Sequence, residues 1–384
     1  MIETISQKIA LKSGISVKEA TWLYKHASLD QLSQLATQAK ALWHKPDQAS
    51  YLVMAIVNYT NICVARCDYC AFYKLPHEKG GYLLSEEELF AKIDQLLAFG
   101  GTLVSFNGGF HPKLRLEHYA AMFEAIHKRY PNLTFFEMTV AEFMFSCKLS
   151  KLSYQQGAEL LRRSGTNWVT GGGAEILDDS FRKRHSPGKF RVDDYYTAQK
   201  AILEAGLGST ATMVIGFDES LEERFNHLQK LRNFQASSPR ALPSFLCWTY
   251  KPYHTELGGT EISRDEYLRW LAICRIYLHN FKHIRTSVLT QNEEGLLGLR
   301  YGADDFDLPV EDEVTEKAGA KISHDFKAIL NYAQNLGFEA QYRSPFRMED
   351  SLHREGPFPP LTLPSPTSHY LRASSLSNIG GWEA

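Results

Sequence analysis

Half of the six cysteines fall in one short stretch: CVARCDYC, residues 63–70, spaces Cys63, Cys67 and Cys70 as C-x3-C-x2-C. Thiols clustered so tightly bind metal or do redox chemistry. A structural zinc ion is closed by four protein ligands, and His77, the one nearby imidazole, sits at no partner spacing. Three thiolates can instead hold a [4Fe-4S] cluster by three of its irons and leave the fourth iron open to a non-protein ligand. A closed electron-transfer cluster would need a fourth cysteine. Cys147 has no ligand spacing, and with Cys247 and Cys274 it is expected to be a packing residue.

Such a site needs a scaffold. With 44% hydrophobic and 22% charged residues, the 384-residue chain can bury a large core. A formal charge of −2 creates no field for phosphate backbones or anionic lipid, so neither nucleic acid nor membrane is expected as a partner. The N-terminus, MIETISQKIALKSGIS, lacks the apolar core of a signal peptide, and no run reaches the ~18–20 apolar residues of a membrane span. The expected location is the cytoplasm, where a disulfide framework is disfavoured.

Residues 1–48 read as a helical preface, with apolar groups three and four apart and serines placed as N-caps. Residues 49–344 alternate short β-branched or aromatic runs with amphipathic helical patterns. The expected strands lie within 51–58, 102–107, 133–139, 167–171, 209–217, 243–250 and 283–289, with a weak eighth near 300–304. Several helices end in Gly just before the next strand, as in AFG-GTLVSF. Strand and helix repeating without hairpin signals implies a parallel sheet, and about eight units close into an α/β (β/α)8 barrel. The cysteines follow its first strand, on the face where barrel enzymes do chemistry. Residues 345–384, rich in proline and serine, are expected to form an irregular C-terminal tail.

The cysteine spacing, the aromatic Tyr69 before the last cysteine and the barrel context together resemble the radical S-adenosylmethionine (SAM) enzymes. The resemblance implies a [4Fe-4S] cluster on Cys63, Cys67 and Cys70 whose open iron chelates SAM, reductive cleavage to a 5′-deoxyadenosyl radical, and an electron donor such as flavodoxin or ferredoxin. It also implies a SAM site: Tyr69 in the cluster loop, Gly108 and Gly109 of NGG against the amino group, and Glu175 of GGGAEILDD toward the ribose or ammonium. Arg182 or Lys189 of the following basic loop would pair with the carboxylate, and Met213 and Gly216 would lie beside adenine.

Over most of residues 50–335 the resemblance narrows to the group of the menaquinone futalosine pathway and deazaflavin-cofactor biosynthesis. It rests on NYTNICVARCDYCAFYK (58–74), GGFHP (108–112), GGGAEIL (171–177), WTYKPYHTEL (248–257) and GADDFD (302–307). The group implies a futalosine-derived nucleoside as small-molecule substrate, and one of two reactions. One closes a carbocycle after ribose hydrogen abstraction; the other adds the adenosyl radical to a vinyl ether. The Asn-Tyr-Thr-Asn start, AEILDD followed by SPGK, and the EYLRWLAICRIYL run resemble the cyclising type, whereas GADDFD leans to the adding type. Cyclisation is the expectation. Asn107, Thr170 and the TVAEF loop (139–143) depart from the group's pattern and bear on the substrate rather than on SAM cleavage.

Cyclisation onto an aromatic ring must release a proton, so a base is required. His111, Glu142, Glu219 and His227 are the candidates, with His227 also placed to join a surface network with Glu223 and Arg224. Phe72, Tyr73 and Trp248 could keep water from a radical. A zinc-dependent barrel hydrolase would need histidines at several strand ends, and the 14 histidines are scattered.

Overall fold

The computed structural model describes residues 1–238 and 240–343; the tail expected over 345–384 lies outside them. Each of the first seven expected runs meets a strand, with β1 starting three residues before its run: β1 (Gln48–Val57), β2 (Leu103–Phe106), β3 (Thr134–Phe136) with β4 (Met138–Thr139), β5 (Val169–Thr170), β6 (Ala211–Ile215), β7 (Ser244–Thr249) and β8 (His283–Thr286). The eighth expectation requires correction. Residues 300–301 end a 3-10 helix (Asn292–Tyr301), Gly302 turns at φ +91°, and the strand is β9 (Asp305–Asp312). A further strand, β10 (Glu339–Tyr342), was not foreseen and pairs with the start of β1.

All ladders between these strands are parallel. Hydrogen-bonded neighbours run β3-β2-β1-β9-β8-β7-β6. The gap between β3 and β6 is bridged by β4 with β5, joined through Met138↔Val169, and by the parallel bridge Trp168↔Gly208 that leads into β6. The ring therefore closes into the expected barrel. Along β1, alternation sends Val53, Ala55 and Val57 outward into the main core under the helices, and Leu52, Met54 and Ile56 into a smaller inner cluster.

The outer layer comprises α4 (Glu86–Ala98), α5 (Leu116–Arg129), α6 (Val140–Ser150), α7 (Tyr154–Arg163), α8 (Asp179–His185), α9 (Val192–Glu204), α10 (Leu221–Ser237) and α11 (Arg264–Tyr277). Ser85, Thr139, Ser153 and Ser220 each accept the N–H three residues on while a Glu or Gln there returns the bond, so these helix starts are written in the sequence. The preface helices α1 (Ile2–Ala10), α2 (Val17–His26) and α3 (Leu29–Lys40) bury Ile5, Leu23 and Leu32 in the barrel's own core, with α2 and α3 packed along α11. Among the described residues no helix is long and apolar enough to cross a membrane.

Candidate active site

Beyond β1 the chain carries the cysteines across the C-terminal mouth of the barrel. The loop is tied down at several points. Cys63 N–H donates to Lys74 O at 2.9 Å, Cys70 N–H to Cys67 O at 3.1 Å, and Leu257 N–H to Asp68 O at 2.9 Å. The Asp68 carboxylate meets His185 Nδ1 at 3.0 Å, and His185 Nε2 meets Asp218 at 2.7 Å, which fastens the loop to α8. Cys63 Sγ accepts the N–H groups of Phe110 at 3.2 Å and Ala65 at 3.4 Å. Burial raises all three thiols, Cys67 to about 12, so each resists ionising until a positive centre compensates it.

The three cysteines line one end of a cavity of about 340 Å³ that continues into the barrel lumen. Gly108 and Gly109 line it too, and a side chain at either would collide: a Cβ on Gly109 would lie 2.3 Å from Ile62 O, and one on Gly108 2.4 Å from the Tyr59 ring. Opposite them, Lys189 Nζ and Glu175 Oε2 form a 2.7 Å ion pair, with the lysine 5.5 Å from the centre of the Tyr69 ring. Burial favours loss of the Lys189 proton, but Glu175 holds the ammonium above the usual lysine value. Glu175 is held in a left-handed backbone conformation, φ +38°, and its carbonyl accepts the Val214 N–H at 3.1 Å. A non-glycine residue in that region is strained unless its surroundings fix it.

The structure thus brings together Cys63, Cys67, Cys70, Tyr69, Gly108, Gly109, Glu142, Glu175 and Lys189 around one cavity, along with Phe72, Tyr73 and Trp248. It places the other candidates elsewhere. Arg182 is buried and donates to Phe190 O at 2.8 Å and Ala174 O at 3.2 Å, bracing the glycine-rich loop from behind. Met213 points outward into the core, since alternation gives the lumen to Thr212 and Val214. Gly216 lies outside the lining, in a turn at φ +98° where its N–H donates to Glu219.

Of the four candidate bases, only Glu142 lines the cavity, and its oxygens are fully engaged. Oε1 accepts from Gly108 N at 2.8 Å and from the Tyr59 hydroxyl, and Oε2 from Thr139 N at 3.1 Å and Thr139 Oγ1 at 2.6 Å. His111 Nδ1 accepts the Lys113 N–H beside the lining. Glu219 Oε1 is taken by Arg224 at 2.7 Å. His227 is not on a surface network: it is wholly buried, accepts the Leu177 N–H at 2.9 Å, and is pushed down to about 3 by burial, with Arg182 adding to the effect.

Sequence reasoning missed the polar lumen. Arg285 and Asp307 line the cavity as an ion pair, with Arg285 also held by Asp305 at 2.8 Å. Asp312 lines it as well. The available signal was a charge inside a strand run, as in HIRT and DFD, because in a closed barrel such a residue faces the lumen.

The donor set suits an iron–sulfur cluster better than a single ion. Tetrahedral zinc–sulfur bonds of ~2.3 Å bring thiolates within about 4 Å of one another, yet among the described residues the one trio of ligand atoms within 4.8 Å is His44, His283 and Asp304. That trio sits at the opposite end of the barrel, with the Arg275 guanidinium on Asp304. Oδ1 of Asn107, buried on the cysteine-lined cavity, has no partner among the described residues, as expected where a polar cofactor binds.

Comparison with known proteins agrees with this geometry. The family model of the radical SAM superfamily matches residues 57–231, and that of the CofH/MqnC C-terminal region matches residues 241–351. Cyclic dehypoxanthine futalosine synthase of Halalkalibacterium halodurans is 32% identical over 339 residues, covering 88% of this chain and 91% of that one. Aminodeoxyfutalosine synthase of Thermus thermophilus is 28% identical, covering 82% and 86%. Methylornithine synthase shares the fold, with a TM-score of 0.69 at 15% identity over 90% of this chain and 99% of that one. The chain belongs to the radical SAM superfamily, alongside the futalosine-pathway synthases, and is an enzyme of the kind that uses a [4Fe-4S] cluster and SAM.

Proposed function

We propose that the enzyme converts dehypoxanthine futalosine to cyclic dehypoxanthine futalosine. The observation that carries this reading is the single cavity running from the three cysteines into a polar lumen, in a chain 32% identical to two cyclic dehypoxanthine futalosine synthases. A cluster and SAM bound there would supply a 5′-deoxyadenosyl radical able to take a hydrogen atom from the substrate's ribose.

The chain's own residues do the rest. Cys63, Cys67 and Cys70 would hold a [4Fe-4S] cluster by three thiolates and leave one iron open to SAM. Gly108 and Gly109 let backbone approach its amino group. Glu175 and Lys189 offer the two charges that a zwitterionic amino-acid group requires. Tyr69 is packed against Phe217 with ring centres 5.1 Å apart, and with Phe72, Tyr73 and Trp248 it excludes water from the reacting carbon.

The test is anaerobic reconstitution with iron and sulfide, then SAM, reductant and dehypoxanthine futalosine. Substrate-dependent 5′-deoxyadenosine with a cyclised product of unchanged carbon count supports the reading. Slow, substrate-independent SAM cleavage counts against the substrate, and the vinyl-ether precursor of aminofutalosine is then the next to try.

A further inference from the structure

Strand β9 changes register as it nears the mouth of the barrel. From Ser50↔Asp305 to Met54↔Pro309 it matches β1 residue for residue, but Ile56 then faces Asp312, so β9 has three residues where β1 has two. This is a β-bulge, a device that re-aims side chains beside functional sites. Up to that point alternation turns Asp307 and Pro309 into the lumen and would turn Glu311 in next. Past the bulge it is Asp312 that lines the cavity, while Glu311 instead pairs with Lys92 of α4 at 2.7 Å.

Asp312 differs from the other carboxyl groups of the lining. Glu142 faces four donors, Glu175 faces Lys189, and Asp307 faces Arg285. Asp312 is 4% exposed; Oδ2 accepts the Thr315 hydroxyl, the Val314 backbone N–H lies close to the carboxylate, and Oδ1 is buried with no hydrogen bond of normal geometry. It stands level with Ile56 on β1 and, through Ile56, with Ser105 on β2, both of which line the cavity. Burial pushes its carboxyl up to about 7, opposed by the bonds from the Thr315 hydroxyl and the Val314 backbone N–H and reinforced by Glu316 and Glu311. A carboxylate in that range is suited to proton transfer near neutrality.

We infer that Asp312 is the catalytic base of the cyclisation, an assignment that rests on the function proposed above. Ring closure forms a carbon–carbon bond and leaves a hydrogen on the attacked ring carbon. That C–H bond then breaks: its proton goes to Oδ1 of Asp312, its electron pair stays to rebuild the aromatic sextet, and the one surplus electron leaves to a one-electron acceptor of the iron–sulfur class. Hydrogen abstraction from the ribose comes earlier and does not need Asp312.

The test compares reconstituted parent, Asp312→Asn and Asp312→Glu with SAM, reductant and dehypoxanthine futalosine, scoring 5′-deoxyadenosine and cyclised product separately. Iron content and thermal melting are expected to match the parent. In Asp312→Asn, substrate-dependent 5′-deoxyadenosine should stay within a few-fold of parent while cyclised product falls about a hundredfold or more, and Asp312→Glu should recover part of it. An infrared carbonyl band of a protonated carboxyl at neutral pH, present in the cluster-free parent and lost in Asp312→Asn, is the expected companion result. A variant that keeps both products coupled at parental yield overturns the assignment alone, as does equal loss of both. A parent that makes no cyclised product overturns the underlying reading, and this assignment with it. Should Asp312→Asn not fold, the band and the product ratio of Asp312→Glu decide: an unchanged ratio with no such band in the parent overturns the assignment.

Discussion

The Glu142 carboxylate receives the Gly108 N–H at 2.8 Å, so a side chain of α6 fixes the glycine turn that ends β2. Burial raises this carboxyl while its four donors pull it down. Each of its oxygens faces one backbone N–H, which can only donate, and one hydroxyl. In Glu142→Gln the amide NH2 faces a backbone N–H whichever way it flips, that of Gly108 on one side and of Thr139 on the other. The variant is expected to lose about 2–4 kcal/mol of stability and to bind SAM more weakly, with less effect on substrate affinity. Denaturant unfolding and SAM titration of reconstituted protein measure the two effects.

Each cluster cysteine is expected to be indispensable. Cys63→Ala, Cys67→Ala and Cys70→Ala should fall from about four iron per chain to a small residue and lose SAM cleavage. Cys247→Ala, in a residue buried in the barrel wall, should keep its iron. Iron and sulfide analysis with visible absorption reads this out, and zinc bound in place of iron would contradict it.

Lys189 is expected to matter twice. Lys189→Met strands Glu175, whose side chain is 18% exposed, and should cost about 2 kcal/mol. It should also weaken SAM binding at least tenfold, because the charge facing the carboxylate is gone. Lys189→Arg should recover part of the affinity. Equal SAM affinity in all three proteins would place SAM elsewhere.

His227 should set part of the acid sensitivity. As a base held down to about 3 against an ordinary 6.5, it contributes stability that is present in full above about pH 6.5 and lost as pH falls toward 3. The slope from this one group is at most about 1.4 kcal/mol per pH unit. His227→Gln can still accept the Leu177 N–H, so its stability should fall less steeply over that window, whatever its level at neutral pH. Urea unfolding at a series of pH values tests it.

Much of this was legible in residue order. Apolar runs ending at Val57, Phe106 and Thr249 marked strands because a barrel strand is buried on both faces, and serine caps marked the helices between them. The cysteine spacing marked three residues that line one end of the cavity. The run DFDLPVED reads as a loop because its lumen face carries Asp307 and Pro309. Residue types could not show that Glu142 is saturated, that His227 is sealed inside, or that a bulge turns Asp312 inward. Those facts depend on register and packing between distant segments.

The most direct test of cyclisation follows one hydrogen. Dehypoxanthine futalosine deuterated at the ribose is incubated with the reconstituted enzyme, SAM and reductant, and the 5′-deoxyadenosine is weighed by mass spectrometry. A cyclase moves one deuterium into free 5′-deoxyadenosine and releases a carbocycle with the substrate's carbon count. Undeuterated 5′-deoxyadenosine, or an adenosyl group retained in the product, would contradict the cyclase.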